Sequence, residues 1–266
     1  MSRVHLFEFE DQKWFPDFLR NYMTDFLQFL SNKTGMYNPI VPLIEEALIK
    51  SNTTTIIDLG SGGGGGLIAL NESLRKSIPS LKILLTDFYP NVKAFEYTKN
   101  LTDNMEYDSR SIDARDVPQE LKGLRTQFLS LHHFKPSDAR LILRNAVDTN
   151  SSIAIVEAQD RSVPSILAML FSPISVFLVT PFIRPFSWGR ILFTYFIPLV
   201  PLFVLWDGVV SSLRTYSIQE MKQLIADVDT ERQFHWKVGK VKSGPGKVLY
   251  LIGTSNYQEE SSSMSM

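Results

Sequence analysis

Apolar side chains recur along the chain at two different spacings, and these spacings alternate. A helical period covers residues 15–30, and a second helical segment covers 42–50. From residue 53 to residue 157, short apolar runs typical of buried strands alternate with further helical segments. This alternation predicts crossover units and an α/β fold with a mainly parallel sheet.

The elements after residue 50 can be placed approximately. The predicted strands cover 53–59, 81–86, 105–111, 127–131 and 152–157, and the predicted helices cover 67–78, 91–103, a short segment near Gln119 and a segment that begins at Pro136. Ser217 and Glu220 then form a capping-box pattern, which predicts a helix to about Asp227. Two runs at 234–241 and 247–253 flank a tight turn, and we expect them to form an antiparallel hairpin.

The composition excludes several classes of function. The 266 residues include 27 Lys and Arg against 28 Asp and Glu, with no basic block, so a nucleic acid is not the expected partner. The chain has no cysteine, which excludes thiolate metal sites and thiol nucleophiles, and no helically spaced histidine pair predicts a metal site. The first residues lack the pattern of an export signal, so we expect a cytoplasmic protein, with membrane association left open.

A glycine cluster follows the first predicted strand. It runs from Gly60 to Gly66 and is interrupted only by Ser61. Glycine has no Cβ, so the backbone can turn sharply here and approach a ligand closely. The same spacing also fits a dinucleotide-binding loop, so the cluster alone leaves two classes of cofactor open.

Three acidic residues, Asp58, Asp87 and Asp113, follow three successive predicted strands. The carboxyl ends of parallel strands meet at one edge of a sheet, so we expect these carboxylates to lie close together. Asp58 would repel a pyrophosphate and attract an ammonium group. Asp87 suits ribose hydroxyls, and Asp113 can accept a hydrogen bond from an exocyclic amine. The set predicts a cationic ligand that carries adenosine.

Residues 58–64 match the pattern D-L-G-x-G-x-G, and the chain resembles a class I S-adenosyl-L-methionine-dependent methyltransferase over about residues 50–160 and 215–255. The resemblance implies a Rossmann-like sheet of seven strands, in the order 3-2-1-4-5-7-6, with an antiparallel carboxyl-terminal hairpin. It also implies S-adenosyl-L-methionine as the cofactor. In that arrangement Gly60, Gly62 and Gly64 frame the methionine, Asp87 holds the ribose, Asp113 and Ala114 meet the adenine, and Phe88 packs on the adenine face.

About 60 residues separate the fifth strand from the capping box, where about 12 would suffice, so we infer an insertion at 162–214. Between Ser162 and Trp206 the only charged residues are Arg184 and Arg190. Three interpretations stay open: a membrane hairpin, an anchor inserted into a membrane surface, and an apolar cap folded over the active site. All three place apolar surface beside the cofactor and suggest a hydrophobic methyl acceptor.

A base is needed if the acceptor is a hydroxyl or a protonated amine. His132 and His133 follow the fourth strand, at the edge of the sheet where ligands bind, and His133 is our first choice. Glu157, at the end of the fifth strand, is the second choice. Arg214 and Tyr216, just after the insertion, could orient a polar head group.

We therefore predict a helical lid at 1–50, a methyltransferase domain at 51–255 that contains the insertion, and a disordered tail at 256–266. The expected function is methyl transfer from S-adenosyl-L-methionine to a small, hydrophobic or lipid-like molecule, with membrane contact through 162–206 as an option. Two alternatives remain: an NAD(P)-dependent oxidoreductase that uses the same glycine loop, and a non-catalytic, membrane-associated protein with a methyltransferase-like fold. The sequence does not indicate an oligomeric state.

Overall fold

The computed structural model describes residues 2–255 and contains one seven-stranded sheet. The strands are β1 (Thr55–Leu59), β2 (Lys82–Asp87), β3 (Met105–Ser111), β4 (Leu124–Phe128), β5 (Ile153–Glu157), β6 (Phe234–Ser243) and β7 (Gly246–Ser255). Their order is β3-β2-β1-β4-β5-β7-β6, and β7 runs antiparallel to both of its neighbours. The predicted strand order and the hairpin are confirmed. The end of β7 lies beside the start of β5, where Gly253 pairs with Ile153.

The helices follow the predicted alternation. They are α1 (Asp17–Thr34), α2 (Val41–Lys50), α3 (Ile68–Ser77), α4 (Val92–Leu101), α5 (Pro136–Asp148), α6 (Val163–Leu170), α7 (Ser172–Val179), α8 (Trp188–Ile191), α9 (Leu199–Arg214) and α10 (Ile218–Val228). The capping box is confirmed, because Ser217 and Glu220 each accept the other's backbone N–H through their side chains.

The sheet has a hydrophobic core on each face, because successive strand residues point in opposite directions. In β1, Ile56 packs in a cluster that includes Ile44 of α2 and Leu70 of α3. Its neighbour Ile57 packs in a second cluster, which includes Ile142 of α5. The carboxyl ends of the central parallel strands are therefore held between two layers of helices.

Two predicted elements differ from the structure. The fourth strand was expected at 127–131 but ends at Phe128, because Leu129 adopts a φ of 51°, in the left-handed region that strands do not use. The short helix near Gln119 is instead a turn, in which the Leu121 N–H donates to the Pro118 carbonyl.

The insertion forms α6 to α9, and one side of it packs against the amino-terminal part of the chain. The buried cluster between them consists of Phe15, Leu19, Met23, Phe26, Val176, Ile183, Val200 and Val204. Within residues 2–255 no single helix is both long and apolar enough to cross a bilayer; two neighbouring helix pairs reach that length together, bent by 43° and 78°. The predicted tail at 256–266 lies outside the described residues.

Candidate active site

Three glycines after β1 have backbone conformations that disfavour other residues. The φ angles of Gly60, Gly62 and Gly64 are 70°, 58° and 71°, and an L-residue there costs about 1–2 kcal/mol. Their surroundings differ. A Cβ on Gly64 would clash with the buried side chain of Leu85, whereas a Cβ on Gly60 would lie 3.4 Å from Oγ of Ser130. Core packing around Leu85 therefore requires glycine at position 64, whichever backbone groups of the loop face the cofactor.

The later glycines of the cluster face α1. A Cβ on Gly63 or on Gly65 would clash with the side chain of Gln28, and Nδ2 of Asn32 donates to the Gly65 carbonyl at 2.6 Å. The unusually long glycine run thus allows a helix to lie directly against the loop. This leaves the stretch from Gly60 to Gly62 as the part of the loop next to the candidate site.

Asp58 lies beneath the loop. Its Oδ2 accepts a hydrogen bond from Oγ of Ser61 at 2.6 Å, and its Oδ1 accepts one from Oγ1 of Thr126 at 2.7 Å. The residue is only 2% exposed, and burial raises its pKa to about 7. In this structure both carboxylate oxygens therefore face hydroxyl groups of the protein, and contact of Asp58 with an ammonium group stays a prediction. The carboxylate stabilises the turn from below.

Asp87 occupies the position predicted for a ribose ligand. Its Oδ2 accepts from the Gly62 N–H and its Oδ1 from the Tyr89 N–H, both at 2.8 Å. Each carboxylate oxygen has a second lone pair, so the group can still accept hydrogen bonds from two neighbouring hydroxyls. Burial raises the pKa of Asp87, and the positive charge of His133 partly opposes that rise. The two side chains are therefore close enough to interact electrostatically. Phe88 is 43% exposed beside Asp87 and can offer an apolar face.

Asp113 and Ala114, which the resemblance assigns to the adenine, both contact other residues of the protein. The Asp113 carboxylate accepts from Nε and Nη2 of Arg115 at 3.0 and 2.7 Å, and the Arg115 guanidinium holds the pKa of Asp113 below its usual value. The side chain of Ala114 packs in the core with Ile57. An adenine amine would therefore have to share Asp113 with Arg115.

Ser130, which the sequence analysis did not single out, lies next to Gly60. Within residues 2–255 its buried Oγ has no hydrogen-bond partner. A buried hydroxyl left in this state costs about 1–3 kcal/mol, so it indicates a position where a polar ligand atom would be stabilised. Together with the remaining lone pairs of Asp87, it supplies polar atoms that fit a hydroxyl-rich nucleoside such as that of S-adenosyl-L-methionine. Its only sequence signal was its place between a strand and the histidine pair.

His132 and Glu157 form a buried pair. Oε2 of Glu157 lies 2.8 Å from Nδ1 of His132, and Oε1 accepts the His132 backbone N–H at 3.0 Å. A carboxylate next to Nδ1 favours the tautomer that carries its proton there. Among residues 2–255 the side-chain hydrogen bonds of the His132 ring are at Nδ1, and the ring also packs against that of His133, with their centres 4.2 Å apart. In the tautomer that carries its proton on Nδ1, Nε2 is the atom that can accept a proton.

His133 is enclosed by carboxylates of an amino-terminal strap, which we define as residues 3–14. Its Nδ1 lies 2.8 Å from Oδ1 of Asp11 and 3.0 Å from Oε2 of Glu8. Burial alone would lower the pKa of His133, but these two carboxylates raise it well above its usual value. These contacts stabilise the protonated ring, so His133 is a poorer proton acceptor while the strap is in place.

Arg214 and Tyr216, considered as head-group ligands, also hold the strap. Nη1 of Arg214 lies 2.6 Å from Oδ2 of Asp11, and the Arg3 guanidinium lies 4.1 Å from the centre of the Tyr216 ring. One carboxylate oxygen of Glu8 and one ring nitrogen each of His132 and His133 lie within 4.8 Å of one another, which is close enough to bind a metal ion. However, Arg214 approaches Glu8 to 3.2 Å, so a cation of the protein already neutralises this cluster.

Comparisons with known proteins agree with this geometry at the level of the fold. Neither a protein-family model nor a curated protein matches the sequence. Among solved structures, the plantazolicin methyltransferase BpumL in complex with SAH aligns with a TM-score of 0.50 and 14% identity over 90% of this chain and 98% of its own. The CMeT domain of the citrinin polyketide synthase gives 0.51 and 12% over 85% and 55%.

Human N-acetylserotonin methyltransferase in complex with SAM aligns with a TM-score of 0.48 and 15% identity, over 88% of this chain and 57% of its own. The chain thus spans little more than half of the citrinin and human chains. At identities this low, the alignments are evidence for a shared fold and for nothing more. From the strand order and from the two alignments that reach a TM-score of 0.50, the chain has the fold of the class I S-adenosyl-L-methionine-dependent methyltransferases.

Proposed function

We propose that the protein transfers a methyl group from S-adenosyl-L-methionine to a small, lipophilic acceptor. The observation that carries this proposal is Asp87, whose carboxylate bridges the glycine loop and the backbone after β2 yet retains lone pairs for two hydroxyls. A nicotinamide dinucleotide fits less well. The Gly62 amide, which would donate to its pyrophosphate, already donates to a carboxylate that would repel that group.

The cofactor, when bound, supplies a methyl group on a positively charged sulfur for in-line displacement. The protein's part is to hold the acceptor in line and, for a hydroxyl or protonated amine, to remove a proton. We infer that His132 removes it at Nε2, while Glu157 fixes the tautomer and stabilises the imidazolium that forms. His133, the first choice from the sequence, is less suited because Glu8 and Asp11 raise its pKa and favour its protonated form.

The insertion supports a lipophilic acceptor. Its first helix begins six residues after Glu157, and its last helix ends at Arg214, which contacts the strap over His133. The insertion is thus connected to the histidines through the strap, and between residues 162 and 206 it carries only two charged residues, Arg184 and Arg190. Our proposal places the protein in the cytoplasm, in contact with membranes that hold such molecules.

Cofactor binding can be tested without knowing the acceptor. Wild type should be stabilised against heat by S-adenosylhomocysteine, by about 2.7 kcal/mol at a concentration a hundredfold above Kd. Asp87→Asn should lose most of this stabilisation, because its single amide oxygen cannot accept from the Gly62 and Tyr89 N–H groups and from two hydroxyls as well. Asp116→Asn, an exposed residue three positions after Asp113, is the matched control. Stabilisation by NADH alone would refute the proposal.

The transfer itself requires a screen with methyl-labelled donor against lipid and metabolite extracts. We expect label in the lipophilic fraction with wild type and a loss of about 10²–10⁴-fold with His132→Ala, the range for a general base. Label only in polar products would contradict the lipophilic acceptor while leaving methyl transfer intact.

A further inference from the structure

We propose that the outer face of the insertion is a membrane-binding surface that rests on one leaflet of a bilayer. The outer face is the set of exposed apolar side chains between residues 163 and 206: Val163, Leu167, Leu170, Phe171, Ile174, Phe177, Leu178, Phe182, Phe186, Trp188, Leu192, Tyr195, Phe196, Ile197, Leu202 and Trp206. This inference deepens the proposed lipophilic acceptor, but membrane binding can be tested independently of the cofactor.

The amount of exposed apolar surface is unusual for a protein that is free in water. Phe171 is 63% exposed, Trp188 is 79% exposed, and α6 has no buried residue at all. Soluble monomers rarely expose contiguous apolar patches beyond a few hundred Å², and larger ones mark contacts with proteins or membranes. A cap closed over an active site would instead bury these side chains.

The packing of the other side of the insertion argues against a membrane span. Val176, Val200 and Val204 pack in a buried cluster with α1 and Phe15, and Phe9 of the strap packs against that cluster. Asp207, in the middle of α9, is buried and accepts the N–H groups of Phe9 and Glu10 at 2.8 and 3.2 Å. Because these hydrogen bonds hold α9 against the strap, α9 cannot leave the rest of the protein to cross a bilayer, and only its outer side can enter lipid. Interfacial segments of this kind reach about 5–10 Å into the leaflet.

The charges of the insertion suit a lipid surface better than a protein partner. Arg190 is buried and paired with Asp25, so Arg184 is the only exposed charge between residues 162 and 206, and no acid in that stretch would repel anionic headgroups. Trp188, Tyr195 and Trp206 are aromatic side chains with a polar group, the type that collects at membrane interfaces. A protein partner would normally be met by a rim of hydrogen-bonding residues around an apolar centre.

The strap extends the same surface towards the histidines. The ring of Phe7 lies 5.3 Å from that of Trp206, and Nε1 of Trp206 donates to the Phe7 carbonyl at 3.0 Å. Trp14, at the end of the strap, is also exposed. A lipophile dissolved in the leaflet would thus reach the strap, and the His132–Glu157 pair behind it, without passing through water.

Co-sedimentation with vesicles tests the proposal. The full chain should pellet with vesicles of phosphatidylcholine and phosphatidylglycerol, and the double variant Phe171→Ser/Trp188→Ser should bind at least about tenfold more weakly, because each lost side chain removes apolar burial. Ile49→Ser/Leu141→Ser is the matched control, since these exposed apolar residues lie on α2 and α5, outside the insertion. Both double variants must keep the wild-type melting temperature and S-adenosylhomocysteine response.

The position of Trp188 gives a second readout. Lipids brominated in their acyl chains should quench the tryptophan fluorescence, and Trp188→Phe should remove more of that quenching than Trp236→Phe, whose indole lies on β6. Absence of vesicle binding by folded wild type would overturn the proposal. So would a dimer in solution that Phe171→Ser/Trp188→Ser dissociates while vesicles remain unbound, because the outer face would then be a contact between two copies of the chain.

Discussion

Replacement of Gly64 by alanine should destabilise the protein through two effects, backbone strain and a clash with Leu85. At a φ of 71° an alanine costs about 1–2 kcal/mol, and its Cβ would clash with Leu85, whose side chain is fully buried and can shift only by displacing its neighbours in the core. Such overpacking adds about 1–3 kcal/mol. A smaller gain of about 0.4–1 kcal/mol comes from restricting the unfolded chain. We expect a net loss of about 2–4 kcal/mol, equivalent to a fall of about 5–15 °C in Tm.

Gly244→Ala is the control, because Gly244 has a φ of 52° and a Cβ added to it would meet no atom within 4 Å. It carries the same backbone strain without the clash, so its cost should be about 1 kcal/mol or less. Equilibrium unfolding in urea, with unchanged m-values, measures both variants. If Gly64→Ala proved no more destabilising than Gly244→Ala, the assignment of Gly64 to core packing would be wrong.

Three further predictions concern the histidine pair and the strap. Glu157→Gln should move the His132 proton from Nδ1 to Nε2, because one amide oxygen cannot accept both N–H groups; ¹⁵N chemical shifts of the imidazole report this, and an unchanged tautomer would contradict it. The free energy of unfolding should fall as pH rises from about 5 to 8. Burial raises the pKa of Glu10 to about 7 and that of Asp207 to about 6. In this pH range the folded protein therefore keeps protons that the unfolded chain has released, so a higher pH favours unfolding. Glu10→Gln should remove on the order of 2–3 kcal/mol of that fall, and the exposed Glu72→Gln none of it. Asp11→Asn should speed amide exchange in the strap by about tenfold or more, compared with the exposed Asp17→Asn, and equal exchange in both would show that the ion pairs do not hold the strap.

The sequence predicted those features that have a local signal. The alternation of strands and helices along the chain and the capping box at Ser217 depend on neighbouring residues, and apart from the short helix near Gln119 they were found as predicted. The order of the strands in the sheet came instead from the family resemblance. The contacts of the strap could not be predicted in this way, because Glu8 and Arg214 are 206 positions apart and no periodicity connects them. Asp58 shows a different limit. Its place at the end of β1 was clear, but whether it faced a ligand or the hydroxyl of Ser61 depended on a rotamer.

The routes of the two ends of the described chain affect how the protein should be labelled. Arg3 donates to the carbonyls of His132 and Phe134, so a tag or fluorophore attached ahead of Ser2 would emerge beside the histidine pair and the outer face. Because β7 runs antiparallel to β5, Ser255 lies at the opposite edge of the sheet, next to Ser152. Immobilisation through the carboxyl-terminal end would therefore leave the proposed lipid and substrate surfaces accessible, whereas immobilisation through the amino-terminal end would obstruct both.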